Sequence, residues 1–204
     1  MLLRHSHTSP YVRKCMVLAH EVGIAGRIDC ETIDGWSEPD ALTAENPLSM
    51  VPTLVTEDCG TLYDSPVICE YLDSLHGGHP MIPAGGTARW SVLRQQALAD
   101  GVLDCAILIF LETVKRPSDK QWDWWLDLKR AAIRRALDQM ETDISSGAFD
   151  PEKIDLGTIA SAVALAYLDL RGAIGEWRDG RPRLGEWHQH FSQRPSMTAT
   201  VPPT

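Results

Sequence analysis

The spacing of apolar residues changes character once along the chain, and that change divides it in two. Up to about residue 77, short β-type runs alternate with two helical patterns; beyond residue 86 only the helical period is left. Residues 1–5 read as a short strand. Ser9-Pro10 then supplies an N-cap followed by a first-turn proline, and Val12, Cys15, Met16, Ala19 and Val22 recur at helical spacing until Gly23 closes the helix. Residues 27–33 alternate as a second strand, and 35–46 are polar, with proline and weak helical content. Residues 53–56, the turn Glu57-Asp58-Cys59-Gly60 and residues 61–63 read as a hairpin. Ser65 as N-cap and Pro66 at the first helical position open a helix to about residue 75. Glycine and proline then concentrate at His76-Gly77-Gly78-His79-Pro80 and Pro83-Ala84-Gly85-Gly86, the pattern of a linker. Helical patterns follow over 88–114, 120–146, 156–172 and 184–192. The expected organisation is an α/β domain over 1–77, a linker over 78–86 and an all-α domain over 87–204.

Composition narrows the chemistry by exclusion. The chain of 204 residues is 44% hydrophobic, ordinary for a globular protein, and its formal charge of -9 disfavours nucleic acid as a partner. Its densest basic cluster, Lys129-Arg130 with Arg134-Arg135, is a broken helical face. No apolar run approaches the roughly 20 residues that span a bilayer, and charges stand where a signal peptide would be apolar, so a cytoplasmic protein is expected. The five cysteines, Cys15, Cys30, Cys59, Cys69 and Cys105, lie ten or more residues apart and offer no CxxC pair. They read as reduced thiols, with Cys15 in the core. His5 and His7 share one strand face without a third ligand, and no metal is expected.

The stretch 46–72 carries the most specific chemistry. Pro52 stands ahead of a β-type run, where it cannot donate to a ladder. With a cis Val51-Pro52 bond, Val51 turns its own N–H and C=O outward, able to pair with an extended peptide backbone as an added strand does. Asp64-Ser65 then opens a helix, and helix starts attract carboxylates. The implied ligand is a short acidic peptide.

The order βαβ then ββα resembles the thioredoxin fold, and such a domain followed by a helical one resembles the cytosolic glutathione transferases. The resemblance rests on Thr8-Ser9-Pro10-Tyr11-Val12-Arg13-Lys14, Asn46-Pro47, Val51-Pro52-Thr53-Leu54, Asp64-Ser65 ahead of Ile68-Cys69-Glu70-Tyr71-Leu72, and Ala99-Asp100-Gly101. Leu156-Gly157-Thr158-Ile159-Ala160, Tyr167-Leu168-Asp169 and Arg194-Pro195-Ser196 extend it nearly to the C-terminus. It is closest in kind to bacterial members with a serine-type site. It implies glutathione as cosubstrate, with no metal, a small apolar electrophile as second substrate, a homodimer, and a role in detoxification. Val51 would pair with the cysteinyl backbone, Asp64 with the γ-glutamyl ammonium, and Ser65 with its carboxylate. Ser9 would donate its hydroxyl to the thiolate, with Ser6 and Thr8 as nearby rivals. Asp100 would reach a neighbouring subunit's glutathione or serve at the surface.

Simpler roles compete. Ser9 and Ser65 both suit plain N-caps, and Trp122, Trp124 and Trp125 read as an interhelical seam in preference to an electrophile pocket. Met50 stands where many relatives carry a basic residue for the glycyl carboxylate, so either Arg13, Lys14 or His79 replaces it or binding is weaker. Asp155-Leu156-Gly157-Thr158 exchanges the residue types of the family's capping box, so a cap from Asp155 is expected without the reciprocal bond. The reaction stays open among conjugation, peroxide reduction, dehalogenation and isomerisation. A non-catalytic glutathione-binding or regulatory module is the alternative.

Overall fold

A computed structural model of the chain describes residues 1–34, 40–145, 147, 149 and 153–203. Two compact units emerge, Met1–Ala84 together with Pro195–Thr204, and Gly85–Arg194. The C-terminal residues, expected with the helical domain, pack with the first unit instead. Arg13 is the reason: its Nη2 donates to the Met197 carbonyl at 3.1 Å, and Ser196 Oγ donates to Glu21.

The first unit is a four-stranded sheet with helices. Strand β1 (Leu2–His5) leads into helix α1 (Pro10–Glu21), capped by Ser9, and β2 (Asp29–Thr32) returns parallel to β1. Strand β3 (Thr53–Val55) pairs antiparallel with β1, and β4 (Thr61–Leu62) with β3, giving the order β2-β1-β3-β4. The alternation expected of β2 does not become a buried face. All four of its residues are exposed, and Asp29 and Glu31 blunt this sheet edge against further pairing. Part of the polar stretch 35–46 lies outside the described residues; 40–45 form turns, not helix. Helix α2 (Ser65–Asp73) packs on α1 through Cys15, Leu18, Ile68, Cys69 and Leu72, all buried. A short helix α3 (Pro195–Ala199) completes the unit against α1.

The second unit is all-helical: α4 (Gly86–Phe110), α5 (Asp123–Ile144), α6 (Leu156–Arg171) and α7 (Pro182–Phe191). The end expected for α5, at residue 146, lies outside the described residues. Helix α4 runs into a π-turn over Leu111–Lys115, where the buried Glu112 carboxylate binds Arg116 Nε at 2.8 Å and the Trp122 N–H at 2.9 Å. That contact fixes the chain entering α5. Trp122 and Trp124 are not a seam: both are more than half exposed, with ring centroids 4.9 Å apart.

Helix α6 is apolar nearly all round and correspondingly buried from Leu156 to Leu165. Its start corrects the sequence reading. Asp155 Oδ1 accepts from the Thr158 N–H at 2.9 Å, and Thr158 Oγ1 accepts from the Asp155 N–H at 3.0 Å, so the reciprocal box is present. A hydroxyl at the third helical position takes the cap N–H as a carboxylate would. Gly157 lets α4 approach closely: a Cβ there would meet Gln95 Cβ at 2.9 Å.

Candidate functional site

Strand register collects the candidate residues at one end of the sheet. Arg4 pairs with Thr53 in the antiparallel β1–β3 ladder, so Val51-Pro52 lies beside the exit of β1, where the chain turns through Ser6 to Ser9. Leu62 pairs with Leu54, so the exit of β4 brings Tyr63-Asp64 to the same end. Both α1 and α2 begin there. Cys15 Sγ, one and a half turns into α1, donates to the Ser65 carbonyl at 3.8 Å, holding the two helix starts together.

Ser9 closes the N-terminus of α1 by accepting from the Val12 N–H at 3.3 Å, while its own N–H donates to the Ser6 carbonyl at 3.2 Å. The cap occupies an oxygen lone pair. The hydroxyl proton is left over, so capping and donation to a bound sulfur are compatible. Ser6 is half-buried and Thr8 exposed.

The Val51-Pro52 peptide bond is cis. Among the described residues, no hydrogen bond reaches the N–H or C=O of Val51. The loop before it is pinned by a residue whose role the sequence left unread: buried Asn46 donates through Nδ2 to the Met50 carbonyl and to Thr53 Oγ1, both at 3.0 Å, and accepts from the Leu48 N–H at 3.0 Å. Thr53 Oγ1 donates to the same Met50 carbonyl at 2.8 Å. The signal available was an asparagine ahead of a proline within a motif, which marks a turn without revealing its three partners.

At α2 the cap is Asp64, not Ser65. The Asp64 carboxylate accepts from the Ser65 N–H, and Ser65 becomes the first helical residue, with Pro66 second. Asp64 is exposed and Ser65 buried. Among the described residues the Ser65 hydroxyl makes no bond within the chain, and it stands at a helix start that favours an anion.

Other candidates are placed elsewhere. Arg13 spends its guanidinium on the C-terminal segment, Nη2 to Met197 and Nε to Thr200 Oγ1 at 3.4 Å, and burial lowers its pKa. Lys14 is wholly buried, its Nζ 5.9 Å from the Tyr11 ring centroid. His79 is exposed. Asp100 is half-buried in α4 of the second unit, followed by exposed Gly101. Cys15 is a core thiol: burial pushes its pKa well up, and Cys69 Sγ lies 3.8 Å away. His5 and His7 both approach Thr32 Oγ1, at 3.1 and 3.4 Å. Burial, then the neighbouring His7, lowers the His5 pKa. Among the described residues no group of three His, Cys, Asp or Glu side chains is arranged to hold a metal ion, and no helix is long and apolar enough to cross a membrane.

Comparison with known proteins bears on the family. Residues 8–75 match the glutathione S-transferase N-terminal domain family and residues 123–190 the C-terminal domain family. An uncharacterized GST-like protein of Escherichia coli K12, YibF, is 34% identical over 100% of this chain and 99% of its own. A glutathione transferase family member from Pseudomonas fluorescens Pf-5, solved with bound glutathione, is 43% identical, covers 100% of this chain and 99% of its own, and superposes with a TM-score of 0.93. A glutathione S-transferase from Methylobacillus flagellatus KT, also with glutathione bound, is 33% identical over 99% of both chains with a TM-score of 0.86. With a thioredoxin-like sheet, a helical second unit and full-length similarity to its members, the chain belongs to the glutathione S-transferase superfamily.

Proposed function

We propose that this chain is a glutathione transferase that activates the glutathione thiol for attack on a small apolar electrophile. Ser9 donates its hydroxyl to the sulfur, the Val51 backbone ahead of Pro52 pairs with the cysteinyl unit, and Asp64 and Ser65 receive the γ-glutamyl end. Arg13 contributes indirectly, by tying the C-terminal segment to α1. A free thiol has a pKa of about 8.5, and each unit of depression requires about 1.4 kcal/mol of preferential thiolate stabilisation. One hydroxyl donor and a helix start supply roughly 2–4 kcal/mol between them. The observation that carries the reading is the bound glutathione in the Pseudomonas fluorescens neighbour, similar over its whole length, combined with the unpaired Val51 backbone and the Ser65 helix start at one sheet end.

Thermal melting with glutathione, then turnover of a chromogenic aryl halide, tests it in sequence. Ligand at 100 times its dissociation constant stabilises by about 2.7 kcal/mol, which is about 5–10 °C for a chain of this size. No shift at millimolar glutathione would sink the reading. Met50, exposed and uncharged beside Val51, favours a second reading, a glutathione-binding module without turnover. A melting shift with no turnover across a broad electrophile panel selects it. A homodimer, with Asp100 reaching the partner's ligand, belongs to the first reading; a monomeric mass by light scattering rejects that part. Cytoplasmic location and a detoxifying role are likewise proposed, to be checked by cell fractionation and by electrophile sensitivity of a deletion strain.

A further inference from the structure

Charge is divided unevenly between the two units. The first holds four Lys and Arg against twelve Asp and Glu, so a balance of minus eight falls on it out of the chain's -9. Residues 28–88 contain no lysine or arginine at all, and every proposed ligand contact of this unit except Ser9 lies within them.

Each of the four cations has other work or no access. Arg4 is held by Glu45, Nε to Oε2 at 2.8 Å and Nη2 to Oε1 at 2.6 Å, and by Glu31. Arg13 is held by the C-terminal segment. Lys14 is wholly buried, and Arg27 Nη1 donates to the Leu75 carbonyl at 3.4 Å. Among the histidines, His5 and His7 share Thr32, and His76 is clasped between Asp73 Oδ1 at 2.9 Å and the Gly78 N–H at 3.0 Å. The residues leading into Val51 are apolar where they meet solvent: Leu48 and Met50 are each 63% exposed.

A γ-glutamylcysteinyl peptide needs only the Val51 backbone, Asp64, Ser65 and Ser9 for its first two residues. Its third residue ends in a carboxylate, for which this unit offers no lysine or arginine in whichever direction the chain leaves Val51. We propose that the site recognises the γ-glutamylcysteinyl part and gains nothing from a negative charge on the third residue, so that glutathione esterified or amidated at its glycyl carboxylate binds at least as tightly as glutathione. This rests on the glutathione reading above. Met50 is the residue that sets this preference, because a cation there would stand next to the backbone-pairing residue.

Calorimetric titration of the full chain at pH 8 measures it with three probes: glutathione, its glycyl monoethyl ester and its glycinamide. The ester and amide should bind as tightly as glutathione or tighter. Met50→Lys should tighten glutathione by up to about fivefold, the upper end for an exposed ion pair, and tighten the amide less. Leu48→Lys is the companion variant, equally exposed, should Met50→Lys fold poorly. Raising salt from 20 to 300 mM should weaken glutathione no more steeply than the amide, since the Asp64 and Ser65 contacts are common to both probes. Glutathione binding ten or more times tighter than the amide, with its affinity falling more steeply in salt than the amide's, overturns the proposal while leaving the glutathione reading intact. Absence of binding by all three overturns both.

Discussion

Replacing Ser9 separates a structural duty from a chemical one, because the two duties use different parts of one hydroxyl. Its oxygen accepts from the Val12 N–H at 3.3 Å, and its proton is left for the proposed bond to a thiol. Ser9→Ala removes both, and loss of the cap alone costs about 0.5–2 kcal/mol, whereas glycine at the same position costs only a few tenths. In a chain of this size 1 kcal/mol moves the melting temperature by about 2–4 °C. Ser9→Ala should therefore melt several degrees lower and Ser9→Gly close to wild type. The thiolate does not distinguish the two variants. A hydrogen bond to a charged group contributes about 1.5–3 kcal/mol, so either variant should raise the pKa of bound glutathione by about one to two units. The helix start still supplies about 0.3–1 kcal/mol, which keeps that thiol at or slightly below its free value. The assay is ultraviolet thiolate absorbance of the saturated complex from pH 5 to 9, alongside melting. Unchanged titration in both variants, with only Ser9→Ala destabilised, would show Ser9 to be a cap and pass the thiol to Ser6 or Thr8.

Three further outcomes are expected. Gly157→Ala places a Cβ 2.8–3.0 Å from the Gln95 side chain, including its Cβ, which cannot swing away; a loss of about 1–3 kcal/mol should appear in melting with no change in glutathione affinity. Asn46→Ala leaves the Leu48 N–H without its partner and the Met50 carbonyl with Thr53 Oγ1 alone, so stability should fall by about 1–3 kcal/mol and calorimetric affinity for glutathione should fall with it; affinity preserved in a folded variant would free Val51 from dependence on this loop. Burial pushes the Asp169 carboxyl up, but Arg178, paired through both nitrogens at 2.7 Å, and the Trp177 indole N–H at 2.7 Å together bring its pKa below the ordinary value. A carboxyl depressed in the folded state stabilises above its unfolded pKa of about 3.9 and loses that contribution as pH falls through the folded value. The melting temperature of Asp169→Asn should thus lie below wild type at pH 7 and converge with it as pH falls through the lowered folded value, and parallel curves would refute the assignment.

What was legible in the sequence follows from how local each determinant is. Ser9 ahead of Pro10, the hairpin turn ending at Gly60, and the αL glycine at Gly23 are set within a few residues, and the chain folds there as the pattern says. Determinants that need a distant partner were not legible. The C-terminal segment joins the first unit because Arg13 reaches Met197, a contact no periodicity encodes. Asp64 takes the cap that Ser65 seemed placed for, since a carboxylate and a hydroxyl in adjacent positions satisfy the same rule and only backbone geometry chooses. Trp122 and Trp124 read as core by composition, yet the Glu112 carboxylate holds the Trp122 backbone at the entry to α5, and both rings remain exposed.

The same distinction explains why glutathione is easier to infer than the reaction. Three of the proposed contacts lie at ends of regular elements: a helix cap at Ser9, an unpaired backbone at Val51 and a helix start at Ser65. Such positions are marked by proline and by small polar residues, and strand register alone gathers them. An electrophile is chosen by side chains that no local rule positions, as the Trp122–Trp124 pair illustrates. The charge of the first unit is intermediate in kind. It is read from composition, but it acquires meaning only when the structure shows Arg4, Arg13 and Arg27 engaged and Lys14 buried, and it then bears on which peptide the proposed site would favour.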